Sequence, residues 1–141
     1  EISMKNELYE DWFKKNKAPC IDTLSGKVLK FQKQPLSIEM EFEALEEFTH
    51  SNGQVVQGGF VTGMLDASMA HLLLIHFQGK YYPSTLDINV SFISPTRVGK
   101  LVAQAEPIKL GKSIAFLSSK LHQNGSIVAT STCTVKLLPA L

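Results

Sequence analysis

The chain has 141 residues, of which 44% are hydrophobic and 19% are charged, and its net charge is +1. These values predict a single globular domain over residues 1–141 with a sizeable core. A charge so close to neutral gives no electrostatic basis for binding nucleic acid or an anionic membrane. Cys20 and Cys133 lie far apart and lack the spacing of metal ligands. They predict two reduced thiols in a cytoplasmic protein.

The N-terminal part of the chain is predicted to hold a short helix and two strands before a polar loop. An amphipathic pattern predicts the helix over residues 6–18, with Pro19 helping to stop it. The first strand is ended by a proline, and the second alternates apolar side chains with glutamates, which is typical of a half-solvated strand. The two strands and the loop cover residues 27–34, 38–48 and 49–57.

A long helix is predicted over residues 58–77, where apolar side chains occur on every face and no proline interrupts the pattern. At about 1.5 Å per residue this helix is about 30 Å long. A helix that is apolar all round is either buried in a core or spans a membrane. Because Asp66, His71 and His76 would be costly in lipid, we favour the buried helix. The rest of the chain must then wrap around it.

Strands dominate the chain after this helix. A loop over residues 79–84 leads to a strand over residues 86–92, in which apolar and polar side chains alternate. Three further strands are predicted over residues 100–108, 113–123 and 126–138. Asn124-Gly125 is a strong hairpin signal, and short turns imply antiparallel neighbours. The simplest architecture is an α+β fold in which one antiparallel sheet curls around the central helix.

Asp66 is the most informative residue of the central helix. Burying an unpaired carboxylate costs several kcal/mol, and no Lys or Arg between Asn52 and Gln78 can compensate it. One interpretation is a structural polar group, satisfied by strand backbone or by Thr62. The other is a general base or nucleophile in a pocket.

The Gly58-Gly59 pair at the start of the helix is the second chemical signal. A helix N-terminus has free N–H groups and a partial positive charge, and glycine lets a ligand oxygen approach the backbone. This geometry suits a polarised carbonyl, although such a pair can also be a plain turn. Gly58 and Asp66 are about 12 Å apart along the axis, whereas a reacting carbonyl needs each group within about 3 Å. If both act on one bond, they come from two chains of a homodimer with two composite sites.

At this point the sequence resembles a known family, the hotdog-fold acyl-CoA thioesterases of the PaaI-like group. The resemblance covers residues 38–138. It is carried by Gln57-Gly58-Gly59, by Asp66 seven residues beyond the second glycine, and by the run from Thr85 to Pro95. It implies a hotdog fold, a homodimer or dimer of dimers, and hydrolysis of an acyl- or aryl-CoA thioester to free acid and CoA. It implies neither a metal nor a cofactor.

The resemblance also implies roles for particular residues. Asp66 matches the catalytic carboxylate, Gly58 the amide that polarises the thioester carbonyl, and Thr85 a residue that positions the attacking water. Asn52 lies near the family's loop asparagine, and Gln57 stands where many members have a histidine. The residues expected to bind substrate, four of them as a cradle for the CoA phosphates, are Gln57, Gly59, Ser68, Arg97, Lys100, Lys109 and Lys112.

Several alternatives remain open at this stage. The four basic side chains could equally be solvated and bind nothing. The four histidines lack the spacing of metal ligands and are interpreted as structural or exposed: His50, His71, His76 and His122. A hotdog dehydratase or hydratase would pair a histidine with the acid. A non-catalytic protein that binds acyl-CoA or another small ligand could share the fold.

Overall fold

The structure, a computed structural model, describes residues 11–140 of the chain. Helix α1 covers residues 11–16 of this part, and α2 and α3 span Pro19–Thr23 and Gly58–His76. The strands are β1 Lys27–Lys33, β2 Leu36–Ala44, β3 Thr49–His50, β4 Val55–Val56, β5 Tyr81–Phe92, β6 Gly99–Leu110, β7 Ile114–Gln123 and β8 Ser126–Pro139. A 3-10 turn, Glu46–Phe48, joins β2 to β3.

Six strands form one antiparallel sheet in the order β1-β2-β6-β7-β8-β5, and β3 and β4 form a separate short hairpin. Strands β6, β7 and β8 are joined by tight turns, so each pairs with the next along the chain. Helix α3 contacts β2, β5, β6, β7 and β8. The sheet therefore curls around the helix, which confirms the predicted hotdog architecture.

Helix α3 is buried from several directions. Five of its large apolar side chains have no exposed surface: Met64, Leu65, Met69, Leu72 and Leu73. Away from the sheet, Phe13 of α1 makes an edge-on ring contact with His71, and Leu24 packs near Gly63. By length and a hydropathy of 1.4 this helix could also cross a membrane. Because the sheet packs against it and the N-terminal helices contact it from another side, α3 is the core helix of a globular fold.

The observed boundaries differ from the sequence prediction in the first half of the chain. The part of the predicted N-terminal helix before residue 11 lies outside the described residues. Pro19 ends one helix and also begins α2, where its missing N–H costs nothing. Strand β2 stops at Ala44, and the predicted loop over residues 49–57 contains the β3–β4 hairpin.

Strand β5 begins earlier than predicted: the sequence predicts a loop over residues 79–84, whereas residues 81–84 pair with β8. An edge strand can contain Pro83, since one of its sides needs no backbone donor. The pairing of β7 with β8 shifts between Leu121 and His122, whose partners are Ala129 and Ile127. Val128 is therefore an extra residue in β8, and the alternation of side chains changes there. Val128 is therefore buried and Ile127 exposed, the reverse of what a regular strand predicts.

Candidate active site

The start of helix α3 presents one free backbone donor. The side chain of Gln57 caps the helix, and its Oε1 accepts a hydrogen bond from the Gly59 N–H at 2.7 Å. Among the described residues, no acceptor is bonded to the Gly58 N–H. The two glycines therefore differ: the Gly59 amide is already used, and the Gly58 amide is available at the positive end of a 19-residue helix.

A cavity of about 380 Å³ opens beside this amide. It is lined by His50, Val55, Val56, Gly58, Val61, Phe92, Ile93, Ser94, Pro95 and Thr96. Most of these side chains are apolar, so the cavity suits an apolar group with a polar end directed at Gly58. A Cβ at Gly58 would lie 3.0 Å from Cζ of Phe92. The missing side chain is therefore what lets the Phe92 ring pack so closely over the helix start.

Asp66 lies half-buried further along the same helix and has one identified donor. Thr85 Oγ1 donates a hydrogen bond to Asp66 Oδ1 at 2.9 Å. Thr62, one of the two partners that the structural interpretation allowed, instead donates to the Gly58 carbonyl at 2.8 Å. No cation pairs with this carboxylate within the described residues. A carboxylate accepts about four hydrogen bonds, so Asp66 keeps acceptor capacity for water.

A bulge in β5 brings Thr85 to the helix. Side chains of a regular strand alternate between its two faces, so Thr85 and Ile88 would point in opposite directions. The register shifts between Thr85 and Asp87, and Leu86 is the extra residue. Thr85 pairs with Val135 and Ile88 with Cys133, both core-facing residues of β8. The bulge thus turns Thr85 toward Asp66, a known use of bulges beside functional sites.

Asp66 and Gly58 do not meet within one chain. Eight residues of helix separate them, or about 12 Å along the axis. Asp66 is also absent from the lining of the cavity at Gly58. Both groups contact the same edge strand, because Thr85 and Phe92 belong to β5. The two candidate catalytic groups, Gly58 and Asp66, therefore both lie beside β5, at one edge of the sheet.

The rim of the cavity is fixed by a set of hydrogen bonds centred on Arg97. Its Nη1 donates to the carbonyl of Gln54, and the Val56 N–H donates to the Thr96 carbonyl at 2.8 Å. Gln123, 8% exposed, accepts from the Arg97 N–H at 2.9 Å and donates to the Arg97 carbonyl at 2.7 Å. Arg97, predicted to bind a CoA phosphate, here braces the β3–β4 hairpin against the loop before β6.

The other predicted cations do not form one cradle within a chain. Lys100 lies at the start of β6, near Arg97, whereas Lys109 and Lys112 lie at or beyond the far end of that strand. Nine residues of extended strand separate Lys100 from Lys109, or about 30 Å. A four-residue phosphate cradle is therefore not built from a single chain.

Two further predicted residues lie away from the cavity. Asn52 is exposed at the tip of the β3–β4 hairpin with φ of 58°, and its side chain does not line the cavity. Ser68 is 0% exposed and lies in the core, where its hydroxyl donates to the Leu65 carbonyl and contacts Ser119 Oγ at 2.8 Å. The structure therefore does not bring Asn52 or Ser68 to the Gly58 end of α3.

The structure brings one residue to the cavity that sequence reasoning set aside, namely His50. Its position depends on the short β3–β4 hairpin inside a segment predicted to be a loop, so no periodic signal revealed it. Cys133 can be dismissed as a nucleophile. Burial, with smaller contributions from the carboxylates of Asp66 and Asp87, raises the pKa of the Cys133 thiol to about 12. Within residues 11–140, no group of three or more His, Cys, Asp or Glu side chains could hold a metal.

Comparison with known proteins places this chain in a family. Residues 48–136 match the model of the acyl-CoA thioesterase N-terminal domain. No curated protein matches the chain by sequence. A solved thioesterase-type protein related to phenylacetic acid degradation, from Ralstonia eutropha, is 30% identical. That match covers 91% of this chain and 98% of the other, with a TM-score of 0.82.

Two more distant structures share the fold. The PaaI protein of the E. coli phenylacetic acid degradation operon is 14% identical, with a TM-score of 0.81 and coverage of 99% of this chain and 98% of that one. A thioesterase from Haemophilus influenzae is 19% identical, with a TM-score of 0.82 and coverage of 94% and 92%. The chain therefore belongs to the acyl-CoA thioesterase family and is a PaaI-like hotdog thioesterase.

Proposed function

We propose that this enzyme hydrolyses an acyl- or aryl-CoA thioester to the free acid and CoA, at composite sites formed by two chains. The observation that carries the proposal is the unpaired Gly58 N–H at an apolar cavity. The cavity accommodates the acyl or aryl group, and the amide lies where a thioester carbonyl oxygen would be held. A donor aimed at a developing oxyanion contributes about 3–4 kcal/mol to catalysis.

Asp66 supplies the second half of the reaction. As a general base it takes a proton from water, whose oxygen attacks the carbonyl carbon, and the C–S bond then breaks with its electron pair going to sulfur. As a nucleophile it attacks the carbon itself, and water later hydrolyses the acyl-enzyme. Thr85 fits either route, because its hydroxyl fixes one carboxylate oxygen and leaves the other free.

The distance between the two groups requires a second chain. About 12 Å along α3 separates Gly58 from Asp66, and neither can move along a helix packed in the core. A partner chain related by a twofold axis would place its own Asp66 at this Gly58. The homodimer is therefore part of the proposed mechanism, because each site is incomplete without it.

Strand β5 is the edge through which we propose this dimer forms. It is a terminal strand of the sheet, so one side of its 12-residue backbone is unpaired within the chain. Leu86, Phe92 and the adjacent Ile93 are 57%, 58% and 58% exposed. Antiparallel pairing about an axis near Asn89 brings the Phe92 end of one chain to the Thr85 end of its partner. We also propose that the protein forms a dimer of dimers and is located in the cytoplasm.

Product analysis tests the proposed reaction. The wild-type enzyme is incubated in ¹⁸O-labelled water with a panel of medium-chain and aromatic CoA esters, and thiol release and the mass of the acid are measured. We expect free CoA and one ¹⁸O atom in the acid for at least one class of ester. Hydration of an enoyl-CoA without thiol release, or absence of turnover across the panel, would contradict the proposal.

A further inference from the structure

An imidazole shares the cavity with the Gly58 amide and has no part in the mechanism above. His50 lines this cavity together with Gly58, Val61 and Phe92. Its Nδ1 lies 2.8 Å from Ser51 Oγ, an interaction that fixes the orientation of the ring. Within the described residues, Nε2 has no hydrogen-bond partner. One ring nitrogen is thus held, and the other is available to a molecule in the cavity.

The hairpin that carries His50 is held in place on both sides. Its tip, Ser51-Asn52-Gly53, has three successive positive φ values of 53°, 58° and 79°, a compact turn. At its base, the Gln57 N–H donates to the Phe48 carbonyl at 2.8 Å. On the far side, the Arg97 side chain donates a hydrogen bond to the hairpin, and the buried Gln123 is hydrogen-bonded to the Arg97 backbone. A side chain on this hairpin is therefore pre-organised relative to Gly58.

Neither Gln57 nor the other histidines of the described residues can act as the acid at this cavity. Gln57 turns its amide oxygen back to cap Gly59. His71 is 7% exposed in the core, with Nδ1 2.7 Å from the Ala67 carbonyl. His76 and His122 are absent from the lining of the cavity. Within the described residues, His50 is thus the histidine positioned to act on a substrate held at Gly58.

We propose that His50 is the general acid that protonates the departing thiolate of CoA, a role that rests on the proposed function. When the tetrahedral intermediate collapses, the C–S bond breaks and its electron pair goes to sulfur. The N–H proton of the His50 imidazolium moves to that sulfur, which leaves a neutral imidazole and a thiol. The imidazole regains one proton from solvent, while the acid product and the protonated Asp66 carboxyl each release one proton to solvent. The net reaction is the thioester and water giving a carboxylate, a proton and a thiol.

The dependence of rate on the leaving group tests this role. An alkyl thiol is a weak acid, with a pKa of about 8.5, and gains from protonation as it leaves. A nitro-substituted aryl thiol is a much stronger acid and leaves as the thiolate unaided. The two probes are thioesters of the same carboxylic acid, with N-acetylcysteamine and with 4-nitrothiophenol. Both lack the nucleotide, so binding of the CoA phosphates does not affect the comparison.

His50→Asn is the variant of choice, because its amide can keep the Ser51 contact while Nε2 is lost. We expect kcat/KM for the N-acetylcysteamine ester to fall about 100-fold, a typical contribution of a positioned acid. The rate for the aryl ester should change less than about 3-fold, since no acid is needed there. The matched control, His122→Asn in β7, should leave both rates unchanged.

The outcomes distinguish the role of His50 from the proposed thioesterase activity. An equal loss for both esters, or no loss for either, overturns the role of His50 and leaves the thioesterase proposal standing. If the wild-type enzyme hydrolyses neither probe nor any CoA ester, the proposed function fails and the role of His50 fails with it. A selective loss with the alkyl thioester, repeated in His50→Gln, supports the proposal.

Discussion

The two edges of the sheet are built differently, although both expose backbone. Strand β1 has seven residues and carries three lysines, Lys27, Lys30 and Lys33, which discourage pairing with another strand. Strand β5 has 12 residues, no lysine, and exposed apolar side chains. Each edge has a bulge with an exposed leucine, Leu29 in β1 and Leu86 in β5. The comparison indicates that β1 is suited to face solvent and that β5 is suited to pair with another chain.

The edge with the exposed apolar side chains is also the edge that contacts the two proposed catalytic groups. Thr85 in β5 holds Asp66, and Phe92 at the end of β5 packs over Gly58. Within the described residues, no residue of β1 lines the cavity at Gly58 or donates a hydrogen bond to Asp66. Covering β5 with a second copy would bury the apolar side chains and complete the site in one step.

The largest expected effect comes from removing the carboxylate on the β5 side. Asp66→Asn keeps an oxygen that accepts from Thr85, so the fold should be preserved, but the amide cannot act as a base. We expect kcat to fall about 10³-fold, within the range for a general base. Thiol release measures the loss. The control is Asp87→Asn, the same change on an exposed β5 carboxylate, and a comparable loss there would show a general effect of charge.

The next largest effect is expected at the opposite end of the same edge. Gly58→Pro deletes the N–H, and proline suits the first position of a helix. Gln57 already has the extended backbone, φ −64° and ψ 137°, that precedes a proline. Loss of one oxyanion donor should lower kcat about 100-fold or more.

Gly58→Ala serves as the control, since it keeps the N–H while its Cβ displaces only the exposed Phe92 ring. If the alanine and proline variants lose the same activity, crowding of Phe92 explains the result and the amide has no special role.

The paired leucines test the difference between the edges directly. Leu86→Lys should weaken dimerisation about 100-fold, because burial of a leucine contributes about 1.5–3 kcal/mol and like charges would meet near the axis. Activity should fall as the protein is diluted. Leu29→Lys makes the same change on β1 and should alter neither property. Sedimentation velocity over a concentration series gives the dimer dissociation constant of each variant. Equal effects of the two substitutions would refute the assignment of β5 as the dimer edge.

The smallest effect is expected in the core, away from both edges. Burial lowers the pKa of His71 below its ordinary value of 6.5, against a hydrogen bond to Ala67 that raises it. The unfolded chain therefore binds more protons than the folded one once the pH falls below 6.5, and stability declines down to the folded pKa. His71→Asn should reduce this acid-dependent loss of unfolding free energy.

Urea denaturation at pH 7.5 and pH 5 measures how much unfolding free energy the protein loses in acid. His76→Asn is the comparison, because burial and Lys33 also lower the pKa of that half-buried histidine. An acid-dependent loss unchanged by His71→Asn would exclude His71 as its source.

Much of the fold could be predicted because its signals are local. The apolar, proline-free run from residue 58 predicts the central helix, and the observed helix ends one residue before the predicted end. Asn124-Gly125 predicts the β7–β8 hairpin from turn chemistry alone. The start of β5 could not be predicted in this way, because the pairing of residues 81–84 with β8 joins parts of the chain far apart in sequence.

The site was predictable only in part, because it depends on tertiary geometry. Gly58 and Asp66 stand out in the sequence as a helix start and a lone acid. The bulge at Leu86, which turns Thr85 toward Asp66, leaves no trace in the alternation of the strand. His50 and Arg97 meet at one rim only after the hairpin docks on the loop before β6. Sequence spacing cannot report such contacts.

Mixed dimers test the composite site most directly. Asp66→Asn and Gly58→Pro chains, carrying different tags, are coexpressed, and the doubly tagged dimer is purified. In that dimer one site combines an intact Gly58 with an intact Asp66, and the other has both defects. We predict that it recovers about half of the wild-type activity, although each variant alone is nearly inactive. A mixed dimer as inactive as its parents would contradict the account, because both groups would then have to act within one chain.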